Sequence, residues 1–269
     1  LFWASPRSAG ILARIHRSIC PSLMRLSLAI DRTLDAALTL VYPQACSVCG
    51  GSVESRHDGV VCDACWKATR VFDDGDTLCW KCGALSVASV PEVRRMSIRC
   101  GRCETDTYIA ARACGPYEGA LRASILQLKR KPHVPHRLAA LMLEAQQRDP
   151  LNDAEVIVPV PLHADRERER GFNQALVLAR ELSRLSGLPF DQHSVVRHTH
   201  TERHRAGMDA KARRDSVEGA FAVRHPPFIK GKKVLLVDDV FTTGATAGAC
   251  AAAIKDAAEA VFVLTIARA

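Results

Sequence analysis

Two adjacent carboxylates, Asp238 and Asp239, follow the apolar run Val234, Leu235, Leu236 and Val237 and precede Val-Phe-Thr-Thr-Gly-Ala-Thr. An apolar run that short and that branched reads as a fully buried strand, not a helix. The alanine-rich residues 245–260 read as a helix. A strand that delivers two acids, a loop of small residues and a helix N-terminus together suit a phosphorylated sugar. The carboxylates can accept hydrogen bonds from a vicinal diol. The backbone N–H groups around Gly244 and Ala245, the hydroxyls of Thr242, Thr243 and Thr246, and the helix dipole can hold a phosphate. A P-loop is excluded, because no Gly-Lys-Ser/Thr follows and the acids come first. Capping a helix would need one acid; two acids followed by Thr-Thr-Gly exceed that need.

The cysteines carry the second chemistry. Of eleven, eight form four Cys-x-x-Cys pairs: Cys46/Cys49, Cys62/Cys65, Cys79/Cys82 and Cys100/Cys103. Two-residue spacing lets both thiolates of a turn face one tetrahedral Zn²⁺, and two turns complete a Cys₄ set. Gly50, Gly83 and Gly101 stand where tight knuckles need them. Sequential pairing gives two stacked ribbons, whereas interleaved pairing would give a cross-braced module. Two structural Zn²⁺ ions are expected, one on Cys46, Cys49, Cys62 and Cys65, the other on Cys79, Cys82, Cys100 and Cys103. Disulfides lack a secretory context, and four repeats argue against a redox pair. Of the remaining Cys20, Cys114 and Cys250, the last reads as a small buried apolar residue in the alanine-rich helix.

These features need two units of unequal size, and 269 residues suffice for them. Residues 1–20, with arginines and no acid, are expected to be disordered; their composition also fits a transit peptide, and a start at Leu1 fits a fragment or an over-extended frame equally. Residues 21–42 read as an amphipathic helix, 43–107 as a double zinc ribbon and 108–269 as an α/β domain. In the last, strands at 109–113, 156–162, 220–223, 234–237 and 261–266 alternate with helices at 119–129, 137–148, 175–185 and 245–260. That alternation argues for a mostly parallel sheet flanked by helices, with ligands at the strands' carboxyl ends. No apolar run is long enough to span a bilayer, and a cytoplasmic protein is expected. The formal charge of +8 divides as +2 over residues 1–107 and +6 over 108–269. Two Cys₄ zinc sites would lower the first part to −2, so the basic surplus belongs to the second unit. It suits a polyanionic substrate as well as a nucleic-acid backbone.

The strand, acid pair and loop resemble the phosphoribosyl-diphosphate signature of type I phosphoribosyltransferases. The motif order resembles more. Tyr42-Pro43 before Cys46 and Cys49 is followed by the other Cys pairs, Tyr117-Glu118-Gly119, Leu128-Lys129 and Val158-Pro159-Val160-Pro161-Leu162. Next come Arg170-Gly171-Phe172-Asn173-Gln174, Gly219-Ala220-Phe221 and the signature itself. Over residues 42–269 this is similar to the ComF family of double-zinc-ribbon, phosphoribosyltransferase-like proteins.

The resemblance implies a type I phosphoribosyltransferase-like fold, an association with competence, and single-stranded DNA and a competence helicase as partners. Asp238 and Asp239 should then contact ribose hydroxyls directly or through Mg²⁺, and Thr242 to Thr246 should cradle the 5-phosphate. The turn at Val160 and Pro161 is placed for diphosphate, with Arg170 and Lys129 in reach. Arg166 and Arg168 read as solvated and self-paired. His198, His200 and His204 read as solvated loop histidines. The chain departs from the family before Gly219: Ser216 and His204-Arg205 stand where amide side chains are expected, although Arg213 or Arg214 can supply the arginine. That segment would be the lid. An enzyme with an unknown acceptor is one reading; the alternative is a non-catalytic nucleotide- or DNA-binding module recruited through its ribbons.

The thiol spacing yields a direct expectation. Elemental analysis of the purified chain should give two zinc per molecule, and mass spectrometry should find the eight paired thiols free of disulfides.

Overall fold

The computed structural model describes residues 43–73, 76, 79–85, 92–199, 212 and 215–269. The expectations for residues 1–42, and most of those for the segment between Thr199 and Ser216, lie outside the described residues. The strands are β1 (Ala110–Pro116), β2 (Val156–Pro159), β3 (Val195–Arg197), β4 (Phe221–Val223), β5 (Lys233–Phe241) and β6 (Ala260–Arg268). The helices are α1 (Asp63–Ala68), α2 (Gly119–Leu128), α3 (His136–Gln146), α4 (Ala164–Arg170), α5 (Gln174–Ser186) and α6 (Ala245–Ile254).

Four strands form one parallel sheet in the order β1-β6-β5-β2. Its centre is apolar on both faces, as a parallel sheet covered by helices requires. Val234, Leu235, Leu236 and Val237 are all fully buried, each contributing roughly 1.5–3 kcal/mol of burial. The period-2 alternation sorts them. Leu235 and Val237 join Leu264, Ile266 and the α2, α3 and α5 side chains in one core cluster. Val234 and Leu236 join Val263 and the α6 residues Cys250, Ala251 and Ile254 in another. Cys250 is thus the buried core residue expected of it.

Strand limits differ from the sequence expectation in ways that build the site. β5 does not stop at Val237: it stays paired with β6 through Asp238↔Thr265, Val240↔Ala267 and Phe241↔Arg268. Its other neighbour, β2, ends where Pro159 pairs with Val237, short of the expected residue 162, and Pro161 has no N–H to continue the ladder. The last four residues of β5 therefore have an open flank. α6 ends at Ile254, not residue 260, because β6 already begins at Ala260. The short strand expected at 220–223 is β4, but it lies outside the main sheet. It pairs antiparallel with β3, which the sequence reading left without a strand.

The Cys pairs are sequential, but they are not simply stacked on one another. Cys46, Cys62 and Trp66 bury into the α2–α3 cluster. There Arg137 pairs with Asp63 at 2.8 Å and lies 5.4 Å over the Trp66 ring, and the Ala120 N–H donates to Thr69 Oγ1 at 2.8 Å. Cys79, Cys82 and Cys103 bury into the α6 cluster. Their knuckle is attached to the sheet edge: the Ala111 N–H donates to the Lys81 carbonyl at 2.6 Å, and Arg112 donates to the Trp80 carbonyl at 2.7 Å with its guanidinium over the Trp80 ring.

Gly83 makes this attachment possible. Its φ is +68°, and a Cβ there would stand 2.6 Å from the Ala111 carbonyl oxygen. Gly83→Ala should cost about 1–3 kcal/mol in chemical denaturation. Gly101→Ala, at an open position without positive φ, should stay within about 0.5 kcal/mol of wild type.

Candidate functional site

The open flank of β5 forms one wall of a cleft of about 400 Å³. Asp238, Asp239, Val240 and Thr242 enter from β5 and its loop, and Thr246 from the first turn of α6. Val160, Pro161 and Leu162 enter from the turn after β2, and Lys129 from the end of α2. Arg166, Arg170, Asn173 and Gln174 come from α4 and the start of α5, and Arg197 from β3. Of the residues singled out in the sequence, Asp238, Asp239, Thr242, Thr246, Val160, Pro161, Arg170 and Lys129 are brought together here. Thr243, Gly244 and Ala245 do not line the cleft; they shape the turn behind it.

That turn is built locally. Gly244 caps α6 at φ +81°, and a Cβ there would lie 2.6 Å from the Phe241 ring. The Ala245 N–H approaches Thr243 Oγ1 at 3.4 Å, and the Gly248 N–H donates to the Gly244 carbonyl at 2.7 Å. The turn after β2 is fixed by Asn173. Its Nδ2 donates to the Val160 carbonyl at 3.1 Å while its Oδ1 accepts from the Ala175 N–H at 3.0 Å, capping α5.

The charges face one another across the cleft. Lys129 Nζ is 3.4 Å from an Asp239 carboxylate oxygen. Asp238, which accepts from the Asp239 N–H at 2.8 Å, is pushed up to about 8, first by burial and second by the charge of Asp239. On the other side Arg170 donates to Gln174 Oε1. Gln174 is only 4% exposed, and its Nε2 has no hydrogen-bond partner among the described residues. It leaves an unused donor in the cleft wall. Among the described residues no thiol outside the four cysteine pairs is placed as a nucleophile: Cys114 and Cys250 are fully buried, and burial pushes the Cys114 thiol up to about 12 and the Cys250 thiol higher still.

Two arginines escaped the sequence reading. Arg166, expected to be solvated, lines the cleft; Arg168 does project outward and pairs with Asp165. The signal was available, since Arg166 and Arg170 are four apart on a helix and Arg168 falls on the far side. Arg197 carried no local signal. It reaches the cleft because β3 pairs with β4, which sets its guanidinium 5.3 Å over the Phe221 ring. His198 is tied to Ala220 by its backbone N–H at 3.0 Å; His200, His204, Arg213 and Arg214 lie outside the described residues.

The eight thiols form two clusters: Cys46, Cys49, Cys62 and Cys65, and Cys79, Cys82, Cys100 and Cys103, with all four sulfurs of each within 4.8 Å of one another. Cys49–Cys62 and Cys79–Cys103 are 3.7 Å apart, and Cys82–Cys100 3.4 Å. Tetrahedral Zn–S bonds imply sulfurs about 3.8 Å apart, and a disulfide about 2.05 Å. The backbone N–H groups of Cys62 and Cys100 point at the sulfurs of Cys46 and Cys79, both at 3.3 Å, as thiolate ligands require. Both clusters are zinc-binding sites.

A family profile described as a double zinc ribbon domain matches residues 37–104. Competence protein F of Haemophilus influenzae is 32% identical over 213 residues, which cover 75% of this chain and 86% of that protein. The DNA utilization protein YhgH of Escherichia coli is 31% identical over 215 residues, covering 77% and 88%. Among solved structures, a purine phosphoribosyltransferase from Pyrococcus horikoshii is 16% identical, with a TM-score of 0.31, covering 49% of this chain and 81% of that one. Among the described residues, no helix is long and apolar enough to cross a membrane.

The raised Asp238 has a consequence for stability. Its folded-state value lies above the usual carboxylate range near 3.9. Between about pH 4 and pH 8 the folded chain holds a proton that the unfolded chain has released, so stability falls as pH rises through that window. Without added Mg²⁺, urea midpoints should decline over this range, and the decline should flatten in Asp238→Asn.

Proposed function

Because the chain belongs to the ComF family, with competence protein F and YhgH, we propose that it binds phosphoribosyl diphosphate with Mg²⁺ and transfers the phosphoribosyl group to an acceptor. The observation that carries this reading is the convergence of two carboxylates, one lysine and three arginines on a single cleft beside a glycine-capped helix N-terminus. Asp238 and Asp239 take the ribose diol. The turn from Thr242 to Thr246 takes the 5-phosphate through its N–H groups and hydroxyls. Lys129, Arg166, Arg170 and Arg197 surround the diphosphate, near the turn of Val160 and Pro161.

The residues present fit Mg²⁺. Two adjacent acids, one of them held protonated by burial and by its neighbour's charge, are a donor set that a hard dication would relieve. When bound, Mg²⁺ would neutralise charge on the leaving diphosphate. In the reaction the C1–oxygen bond to diphosphate breaks, the bond from the acceptor atom to C1 forms, and the acceptor gives up its proton. No covalent intermediate is needed, and the protein contributes position and countercharge.

The unit at 108–269 carries this chemistry, and the ribbons at 43–107 would recruit partners, single-stranded DNA or a helicase, in the cytoplasm. One observation favours a binding role for the ribbon side. A groove of about 530 Å³ between the first knuckle and α2 is lined by Arg122, Arg130 and Lys131, with no acid among its described residues.

Melting curves test the main reading. Phosphoribosyl diphosphate with Mg²⁺ at a hundred times its dissociation constant should stabilise wild type by roughly 2.7 kcal/mol. The double variant Asp238→Asn/Asp239→Asn should lose that shift. If the variant melts like wild type with and without ligand, the acids do not hold the sugar.

A further inference from the structure

We infer that Arg268 is a positioning residue that couples the second zinc site to the turn at 242–246, so that the state of Cys82 sets how firmly that turn is formed. The role given to the turn rests on the proposed function; the coupling itself does not.

Arg268 ends β6, with Pro116 on one side in register and Phe241 on the other. Its guanidinium does three things at once. Nη1 donates to the Cys82 carbonyl at 2.6 Å, Nη2 lies 3.7 Å from the Cys82 sulfur, and Cζ sits 4.7 Å from the centre of the Phe241 ring. Phe241 in turn bounds the glycine turn, since its ring fills the space where a Cβ of Gly244 would go. Tyr108 meets the same ring edge-on at 6.2 Å and donates from its hydroxyl to Asp106 at 2.7 Å. A continuous path of contacts thus runs from a metal ligand through a guanidinium and an aromatic ring to the turn.

The physics gives the path a direction. A Cys₄ zinc site keeps its thiolates charged and its knuckle backbone fixed. The site then holds the planar fork of Arg268 flat against Phe241 by charge and by the carbonyl hydrogen bond. Loss of the ion unfixes the knuckle backbone and with it the Cys82 carbonyl, so the guanidinium loses the hydrogen bond that holds it against the ring. Among the described residues the first zinc site shows no such route. Cys46 and Cys62 pack with α2 and α3, in the cluster that excludes Phe241 and α6. The two sites should therefore differ in what they control.

Hydrogen exchange of the zinc-loaded full chain tests this. One charge-assisted contact is worth enough to change local opening about tenfold. Peptides covering residues 241–248 should exchange that much faster in Arg268→Gln, although it still holds two zinc. Arg268→Lys should not rescue, because an ammonium cannot bond the carbonyl and cover the ring together. Cys100→Ser should loosen the turn likewise, and Cys49→Ser should leave it as in wild type. Unchanged exchange in Arg268→Gln, rescue by lysine, or equal loosening by Cys49→Ser would overturn the coupling. Should Cys100→Ser not fold, Arg268→Gln and Phe241→Leu decide the matter, and both must loosen the turn. A wild type that ignores phosphoribosyl diphosphate would remove the proposed ligand while leaving the exchange comparison intact.

Discussion

Two carboxyl groups on neighbouring residues of a central strand are held where they cannot separate. Asp238 and Asp239 follow four fully buried residues, and their strand remains paired to β6 for two residues beyond them, to Phe241↔Arg268. The backbone cannot relax the repulsion, and burial raises its cost. Countercharge has to come from elsewhere, and three separate elements bring it: the end of α2 with Lys129, α4 with Arg166 and Arg170, and β3 with Arg197, all converging with the acids on one cleft. The sheet supplies the constraint, and the connections between strands supply its balance.

The cleft exists because adjacent strands have unequal lengths. Had β2 continued beyond Pro159, the acids would have been enclosed by a neighbouring strand. Instead the chain turns at Val160, and Asn173 bonds that turn to the start of α5. The zinc modules then serve the sheet from its two faces. One knuckle extends the α2–α3 core and the other covers the α6 side, so the metal sites are part of the packing around the cleft as well as separate surfaces.

What sequence revealed and what it hid follow from the range of each interaction. Cysteine pairs with two residues between them and an apolar run before two acids are local patterns, and they gave both metal sites and the central strand. The alanine-rich helix was evident too, but its end was not, since the start of β6 sets it. Arg166 and Arg170 differ from Arg168 only by helical phase, so they separate once Ala164–Arg170 is known to be a helix. Arg197 and Arg268 are the opposite case. Nothing beside either residue distinguishes it from other surface arginines, and each owes its place to a strand partner far along the chain, Phe221 for one and Phe241 for the other.

The small β3–β4 pair has a consequence for how this scaffold can vary. Arg197 faces Phe221 across an antiparallel ladder, and the His198 N–H bonds the Ala220 carbonyl, so the ends of the intervening chain are clamped about 5 Å apart. Closing a loop over a fixed gap costs only about 0.6 kcal/mol more for each doubling of its length. An insertion or deletion between the clamped ends would thus cost the clamp little, and Arg197 would keep its aim. Changes of length are therefore what this clamp absorbs best, with the buried Val217 near its far end as the fixed point they must respect.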